Sequence, residues 1–416
     1  MRVKFPRRFG TLVSLVTALT ALGLPTAPVA RATPPVCQVW VTSRTTNYPT
    51  IIDGATSDVS TLDIGDDSWH AAMTPDGSKV YITTGSGTDI KVIDVARGYA
   101  LSTIVTDNFI VAVSPDGTKM YTTEWSAAPD NSGLVKEFLT ATDATTSRSI
   151  ATGTNPAAMA VSPDGAYLYV ANYNSTPSTV TKIATSGFTA TDYPVDAGYV
   201  RPAGLEVSPD GSTLYVVMYS GSVVKEFDTA TMTAGRSVAV AAGSRGVVSN
   251  STGSKLYVTS VAGNHVVEIN VATFTVTATI PVGSSPQNLV ISPDDRFLFV
   301  TNQGSDTVSK IDLSTNAVVE TIAVNGEPYG IAIGPSSCTT TAAAPAPAPA
   351  PVAAPETTVE TTTTTSPATI VAPTTTVSPS PTELPETGSE ATRWLWLATL
   401  VSVTGGMLAS RRRRPA

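Results

Sequence analysis

The chain has 416 residues, 42% of them hydrophobic and 14% charged, with a formal net charge of -8, two cysteines and two histidines. Taking away the ten Lys/Arg and the one Glu of the two terminal targeting segments, 1–32 and 388–416, moves that charge to -17. An acidic, Lys-poor body argues against nucleic acid as a partner, because such binding rests on neutralising phosphates. It keeps the protein soluble and draws cationic partners without naming one.

The N-terminus runs MRVKFPRRFG, then the apolar TLVSLVTALTALGL, then PVARA. A basic start, an apolar stretch and small residues at Ala30 and Ala32 make a secretory signal over 1–32, with a mature chain beginning near Thr33. An uncleaved N-terminal anchor is the alternative.

Next comes a phrase that returns: TPDGSKVYITTGSG, SPDGTKMYTTEWS, SPDGAYLYVANYN, SPDGSTLYVVMYSG and SPDDRFLFVTNQG, with a worn copy in NSTGSKLYVTS. Pro presets φ for a turn and Gly accepts φ > 0, so each copy is a turn leading into a strand. One aromatic marks each unit: Trp40, Tyr81, Tyr121, Tyr169, Tyr215, Tyr257 and Phe299, at intervals of 41, 40, 48, 46, 42 and 42 residues. Each unit parses into four short strands, as in NLVI, FLFVTN, TVSKID and VVETIAV. A period near 43 with four strands predicts an all-β, seven-bladed β-propeller of antiparallel blades over 33–338. An open solenoid or β-helix is the competitor, but its terminal units would need polar caps, and none is present.

The termini of this region show how a ring would close. CQVWVTS begins as the second strand of a unit, and YGIAIGPSSC stops after a first strand and its turn. Residues Tyr329 to Ile333 would complete the blade begun at Gln38. Cys37 and Cys338, 301 residues apart or seven units of 43, then hold equivalent places that closure makes neighbours. In a secreted chain the two are expected to form a disulfide, worth about 2–4 kcal/mol if unstrained. Two buried free thiols are the alternative.

NPAAMAVSPDGAYLYVAN, SPQNLVISPDDRFLFVTN and EPYGIAI resemble the unit of YVTN-type β-propellers over roughly residues 37 to 338. That resemblance supports the fold. Its members include surface-layer proteins, surface-antigen and binding proteins, and a wider group resembling lactonases, so it assigns no function.

If each unit runs from inner to outer strand, two sets of loops share one face. One set precedes the innermost strand and displays Asp66, Asp67, His70, Asp107, Asn155, Arg201, Arg245, Gln287 and Glu327. The other joins the second strand to the third and adds Arg44, Glu124, Trp125, Asp130, Asn131, Tyr173, Asn174 and Tyr219. The opposite face carries the near-identical PDG turns, whose aspartates bond to their own backbone. Recognition is expected on the varied face, where ordinary solvated loop residues are the alternative reading. For catalysis, His70 with Asp66, Asp67 or Asp107 would make a base and its orienter, with Arg201 or Arg245 holding an anionic transition state. Asp66, Asp67, Asp107 and Glu327 offer oxygens to a hard cation such as Ca²⁺. No HExxH, paired histidines or Cys ligands suggest zinc, and no G-x-S-x-G elbow suggests a serine hydrolase. No cofactor is expected.

Residues 339–383 are rich in Pro, Thr and Ala, lack any hydrophobic period, and read as an extended stalk at about 3.1 Å per residue. The last stretch, 384–416, opens with Leu384, Pro385, Glu386, Thr387 and Gly388, followed by RWLWLATLVSVTGGML and RRRRP. Pentapeptide, apolar segment and basic tail in that order resemble the cell-wall sorting signal of Gram-positive surface proteins. The resemblance implies that a sortase-type membrane transpeptidase cuts between Thr387 and Gly388 and joins Thr387 to peptidoglycan. A plain C-terminal membrane helix is the alternative. The sequence thus predicts a wall-anchored surface protein whose propeller binds a protein or glycan, or serves as a structural module. A lactonase-like hydrolase is the runner-up.

Overall fold

The computed structural model describes residues 37–125, 132–196 and 201–335. The expected signal, stalk and sorting signal, together with Cys338, Asp130 and Asn131, lie outside these residues. So does the side chain of Trp125.

The described residues form seven four-stranded antiparallel sheets. Blade 1 comprises residues 38–61 closed by 328–333, and the others span 68–105, 111–154, 156–196, 202–239, 244–281 and 286–323. Their innermost strands follow one another round a ring, from blade 1 to blade 7 and back. Closure occurs where the sequence predicts it: Val39, Trp40 and Val41 pair antiparallel with Ile333, Ala332 and Ile331. The fold is a seven-bladed β-propeller. Among the described residues no helix is long and apolar enough to cross a membrane.

Strand period explains the packing. In Phe297–Asn302, Phe297 and Phe299 face blade 1 while Leu298 and Val300 face blade 6. Because successive side chains point to opposite sides of a sheet, each second strand serves two interfaces. Seven apolar clusters result, one per junction between blades. The seven marker aromatics all face the following blade and are at most 3% exposed, so they belong to the core.

The recurring turns are structural too. Ser208 Oγ donates to Asp210 Oδ1 (2.5 Å) and accepts the Thr213 N–H (2.9 Å), while Asp210 takes the Ser212 N–H (3.0 Å). Gly211 sits at φ +76°, and the SPDD copy places Asp295 there at φ +55°. Hydrogen bonds from Ser208 and Ser212 hold the Asp210 carboxyl below its usual pKa.

The structure departs from the sequence reading at strand boundaries: His70, Arg245 and Gln287, read as preceding the innermost strands, lie within Ser68–Met73, Ser244–Ser249 and Pro286–Ile291. Glu124 and Trp125, read there as loop residues, end the strand Lys119–Trp125. Blade 3's innermost strand is only Val111–Val113, and just before it Thr123 Oγ1 accepts the Ile110 N–H (3.1 Å) while Thr122 Oγ1 donates to the Ile110 carbonyl (2.8 Å). Cys37 is buried, and no cysteine among the described residues is free.

Candidate functional site at the channel mouth

Aligning the seven innermost strands on the residue that opens each turn (Thr74, Ser114, Ser162, Ser208, Asn250, Ser292 and Gly334) puts one residue per blade in a common layer. Five positions earlier stand Trp69, Phe109, Ala157, Ala203, Arg245, Gln287 and Tyr329. Six of the seven, all but Ala203, line a single open cavity of about 380 Å³. Arg44, Asn155, Pro156, Tyr173, Asn174, Tyr219, Val261 and Gln303 complete its wall.

Local structure fixes this layer. The inner strands carry a register shift at the same place in blades 2, 6 and 7, between Ser68 and Ala71, Ser244 and Val247, and Pro286 and Leu289. Such a bulge frees a backbone N–H from the ladder, and a buried threonine of the second strand collects it. Thr259 Oγ1 accepts the Gly246 N–H (2.9 Å) and donates to the Gln287 carbonyl of the next blade (2.8 Å). Thr42, Thr83 and Thr301 do the same for the carbonyls of Trp69 (2.8 Å), Phe109 (3.1 Å) and Tyr329 (2.9 Å). Four of the cavity residues are thus pinned by a hydroxyl from the preceding blade. The strands approach so closely that a Cβ on Gly204 would lie 2.0 Å from the Arg245 carbonyl oxygen.

The residue directly before the innermost strand is left-handed in five blades: Asn155, Arg201, Gly243, Ser285 and Glu327. Asn155, the Gln287 layer and the loops after the second strands thereby meet at one mouth.

Aromatic faces and cations dominate the wall. The Arg44 guanidinium carbon lies 4.1 Å from the Trp69 ring centre and 5.4 Å from that of Tyr329. Arg245 stands 5.3 Å from Tyr219 and 5.9 Å from Tyr329, and its Nη1 donates to the Tyr329 hydroxyl (2.7 Å). Arg201 sits over Tyr173 at 5.3 Å, and the Tyr173 and Tyr219 rings lie 6.0 Å apart. Among the described residues neither Arg44 nor Arg245 forms an ion pair. Buried Nε atoms of both, and Asn155 Oδ1, find no hydrogen-bond partner.

His70 sits one residue deeper than Trp69, edge-on to Phe109 (5.5 Å) and Tyr329 (5.2 Å). Its Nε2 is buried without a partner. Burial, then the charges of Arg245 and Arg44, push its pKa down to about 3, so the imidazole is neutral. The expected pairing of His70 with Asp66, Asp67 or Asp107 does not form. Aromatic rings, not carboxylates, pack against it.

The carboxylates go elsewhere. Asp67 hydrogen-bonds Asp66, and its carbonyl accepts the Gly85 N–H (3.0 Å); burial and Asp66 raise its pKa. Asp107 and Glu124 line a neighbouring cavity of about 470 Å³ between blades 2 and 3, which shares Trp69 and Phe109 with the channel mouth. Glu124 is paired with Lys136 (3.0 Å). Glu327 accepts from Gln303 Nε2 (3.1 Å). Among the described residues no three acids, histidines or cysteines converge as metal ligands, so the Asp66, Asp67, Asp107 and Glu327 quartet considered for Ca²⁺ is not assembled.

Of the residues expected on the varied face, Arg44, Asn155, Tyr173, Asn174, Tyr219, Arg245 and Gln287 meet in the channel-mouth cavity. Trp69, Phe109, Gln303 and Tyr329 were missed. Reading the repeats column by column would have found three of them, because the layer five before the turn is the place where the units cease to agree.

Known proteins place the fold. A family model for YNCE-like beta-propellers matches residues 229–346. No curated protein matches the chain. Among solved structures, a functionally unknown protein from Desulfotomaculum acetoxidans superposes with a TM-score of 0.61 at 16% identity, covering 71% of this chain and 98% of that one. The periplasmic gluconolactonase of Pseudomonas aeruginosa gives 0.59 at 17%, covering 72% and 99%. Kuenenia stuttgartiensis hydrazine synthase gives 0.59 at 17%, covering 70% and 99%. At such identities the likeness concerns the fold alone.

Proposed function

We propose that this is a wall-anchored surface protein whose propeller recognises a ligand at the channel mouth. One observation carries the recognition reading: the register-equivalent residues that differ from blade to blade converge on one aromatic, cationic cavity. Cavities walled by aromatic rings with a few placed polar groups suit binding, and Tyr and Arg anchors supply most of the energy in such contacts. Anchoring rests on the sequence alone, through LPETG, the apolar segment and the arginine tail. The mature secreted protein would be offered to matrix proteins and cell-wall glycans. Tyr219→Ala and Arg201→Ala should weaken capture of whatever binds, and Ser212→Ala on the PDG face should not. Capture that ignores the first two variants and depends on the third would sink the proposal.

A lactonase-like hydrolase is the second reading, favoured by the gluconolactonase among proteins of this fold. It asks a base of His70. A histidine whose pKa lies near 3 is a poor base at neutral pH, because proton transfer works best from a group titrating near the working pH. Lactone turnover lost on His70→Ala and indifferent to Tyr219→Ala would reverse the order of the two readings.

A further inference from the structure

Resting on the channel mouth as the recognition site, we infer that its ligand is a small organic oxyanion whose charged head is held by Arg44 and Arg245 beside the Tyr329 ring. The charge census is the first reason. Most basic side chains in the described residues find acids, among them Lys79 with Asp143, Lys119 with Glu137, Lys225 with Asp196 and Arg236 with Glu226, while Lys182, Arg296 and Lys310, which form no ion pair, lie over rings away from the channel mouth. Acids outnumber bases in the chain, yet these two arginines meet none among the described residues.

Geometry is the second reason. Both guanidinium carbons lie within 6 Å of the Tyr329 ring centre, so the two charges border one patch of the cavity. Stacking on a ring occupies the guanidinium face and leaves its N–H edges to bind a carboxylate or phosphate in the plane. Buried Nε atoms on both arginines want an acceptor. Leaving buried donors unsatisfied is costly, and an oxyanion satisfies them while cancelling charge.

The field in the cavity agrees. Burial first, and then the charges of these same arginines, hold His70 neutral, so their positive potential reaches the channel wall. Around the head-group position, Trp69 and Tyr219 offer flat apolar faces and Asn155 its unpartnered side-chain amide oxygen. The cavity's about 380 Å³ suits an uncharged body the size of a benzene or sugar ring. Carboxylate and phosphate share the required chemistry, and the test separates them.

Calorimetry on the mature secreted protein would use benzoate, D-glucuronate and inorganic phosphate, with benzamide and D-glucose as neutral matches. At least one anion should bind, about tenfold or more tightly than its neutral match, and Arg245→Met and Arg44→Met should each weaken it by at least about tenfold. Retained melting temperature certifies the fold of each variant. Should Arg245→Met not fold, Arg44→Met and Tyr329→Phe carry the test, the latter by freeing the Arg245 N–H from the tyrosine hydroxyl. The His70 imidazole proton resonances should move on binding, because the neighbouring charge is neutralised. No binding of any of the three anions at millimolar concentration, equal binding of the neutral matches, or indifference to both arginine variants overturns the inference. A partner captured through Tyr219 that ignores both arginines would defeat the oxyanion and leave the channel mouth standing; one that ignores all three defeats both.

Discussion

Thr259→Val tests how the cavity layer is held. Valine nearly matches threonine in shape, so little packing changes at a residue that is 0% exposed. What disappears is the hydroxyl that bridges the Gly246 N–H and the Gln287 carbonyl. Both groups are buried and lose a partner, at about 1–3 kcal/mol for each group left unsatisfied. Some relaxation of the bulge will recover part of that, so the expected loss is about 2–3 kcal/mol, above the median for point changes. Denaturant unfolding of the secreted protein reads it as a lower midpoint at unchanged slope. Thr259→Ser, which keeps the hydroxyl, should restore most of the loss. A Thr259→Val protein within about 0.5 kcal/mol of the parent, the scale of an ordinary surface change, would mean that the bridge does not position Gln287.

Three further outcomes follow from other parts of the chain. Burial in the channel raises the Glu206 carboxyl from 4.5 to about 7 against two hydrogen bonds from Ser249; protonation therefore favours the folded state, so its contribution is complete below pH 4.5 and lost as pH climbs through 7. At about 1.36 kcal/mol for each tenfold change in acidity the loss is at most about 3 kcal/mol, and melting at pH 5 and pH 8 should show Glu206→Gln abolishing that slope, while an identical slope in both proteins refutes it. Cys37 and Cys338 are proposed to clasp the ring, so intact mass should rise by about two daltons on reduction, the two hydrogens gained when one S–S bond opens, and two thiols reactive in native protein would refute it. Leu384→Ala should send the protein from wall to membrane or medium, with muramidase releasing wild-type chains that end at Thr387; detergent release of the full wild-type population would refute sorting.

The ring was legible because two independent periods agree. Alternation within strands such as FLFVTN assigns faces, and seven aromatics spaced by about one unit count the blades. Blade closure was legible because Gln38 begins midway through a unit and Tyr329 supplies the missing strand. The site was legible only in part. Arg44, Tyr173, Tyr219, Arg245 and Gln287 stood out as polar or aromatic residues in loops and strand ends of one face. Trp69 and Tyr329 did not, since an aromatic in a strand ordinarily reads as core and only the bulge turns these into the cavity; Phe109, just before the short strand Val111–Val113, did not because an apolar residue beside a strand reads as core too. His70 misled in the opposite way. A histidine near several aspartates in sequence suggests a dyad, yet the turn at Asp67 binds those carboxylates back toward Gly85 and Asp66 while the strand carries His70 inward between rings.

Hydrogen exchange of the secreted protein, with and without a ligand it captures from among matrix proteins and cell-wall glycans, tests the recognition surface most directly. Added protection should fall on peptides containing Trp69–His70, Asn155–Ala157, Tyr219, Arg245, Gln287 and Tyr329, which border the channel mouth from six different blades. The PDG turns at the opposite end should be unchanged. Protection confined to those turns, or to the outer strands, would contradict the account.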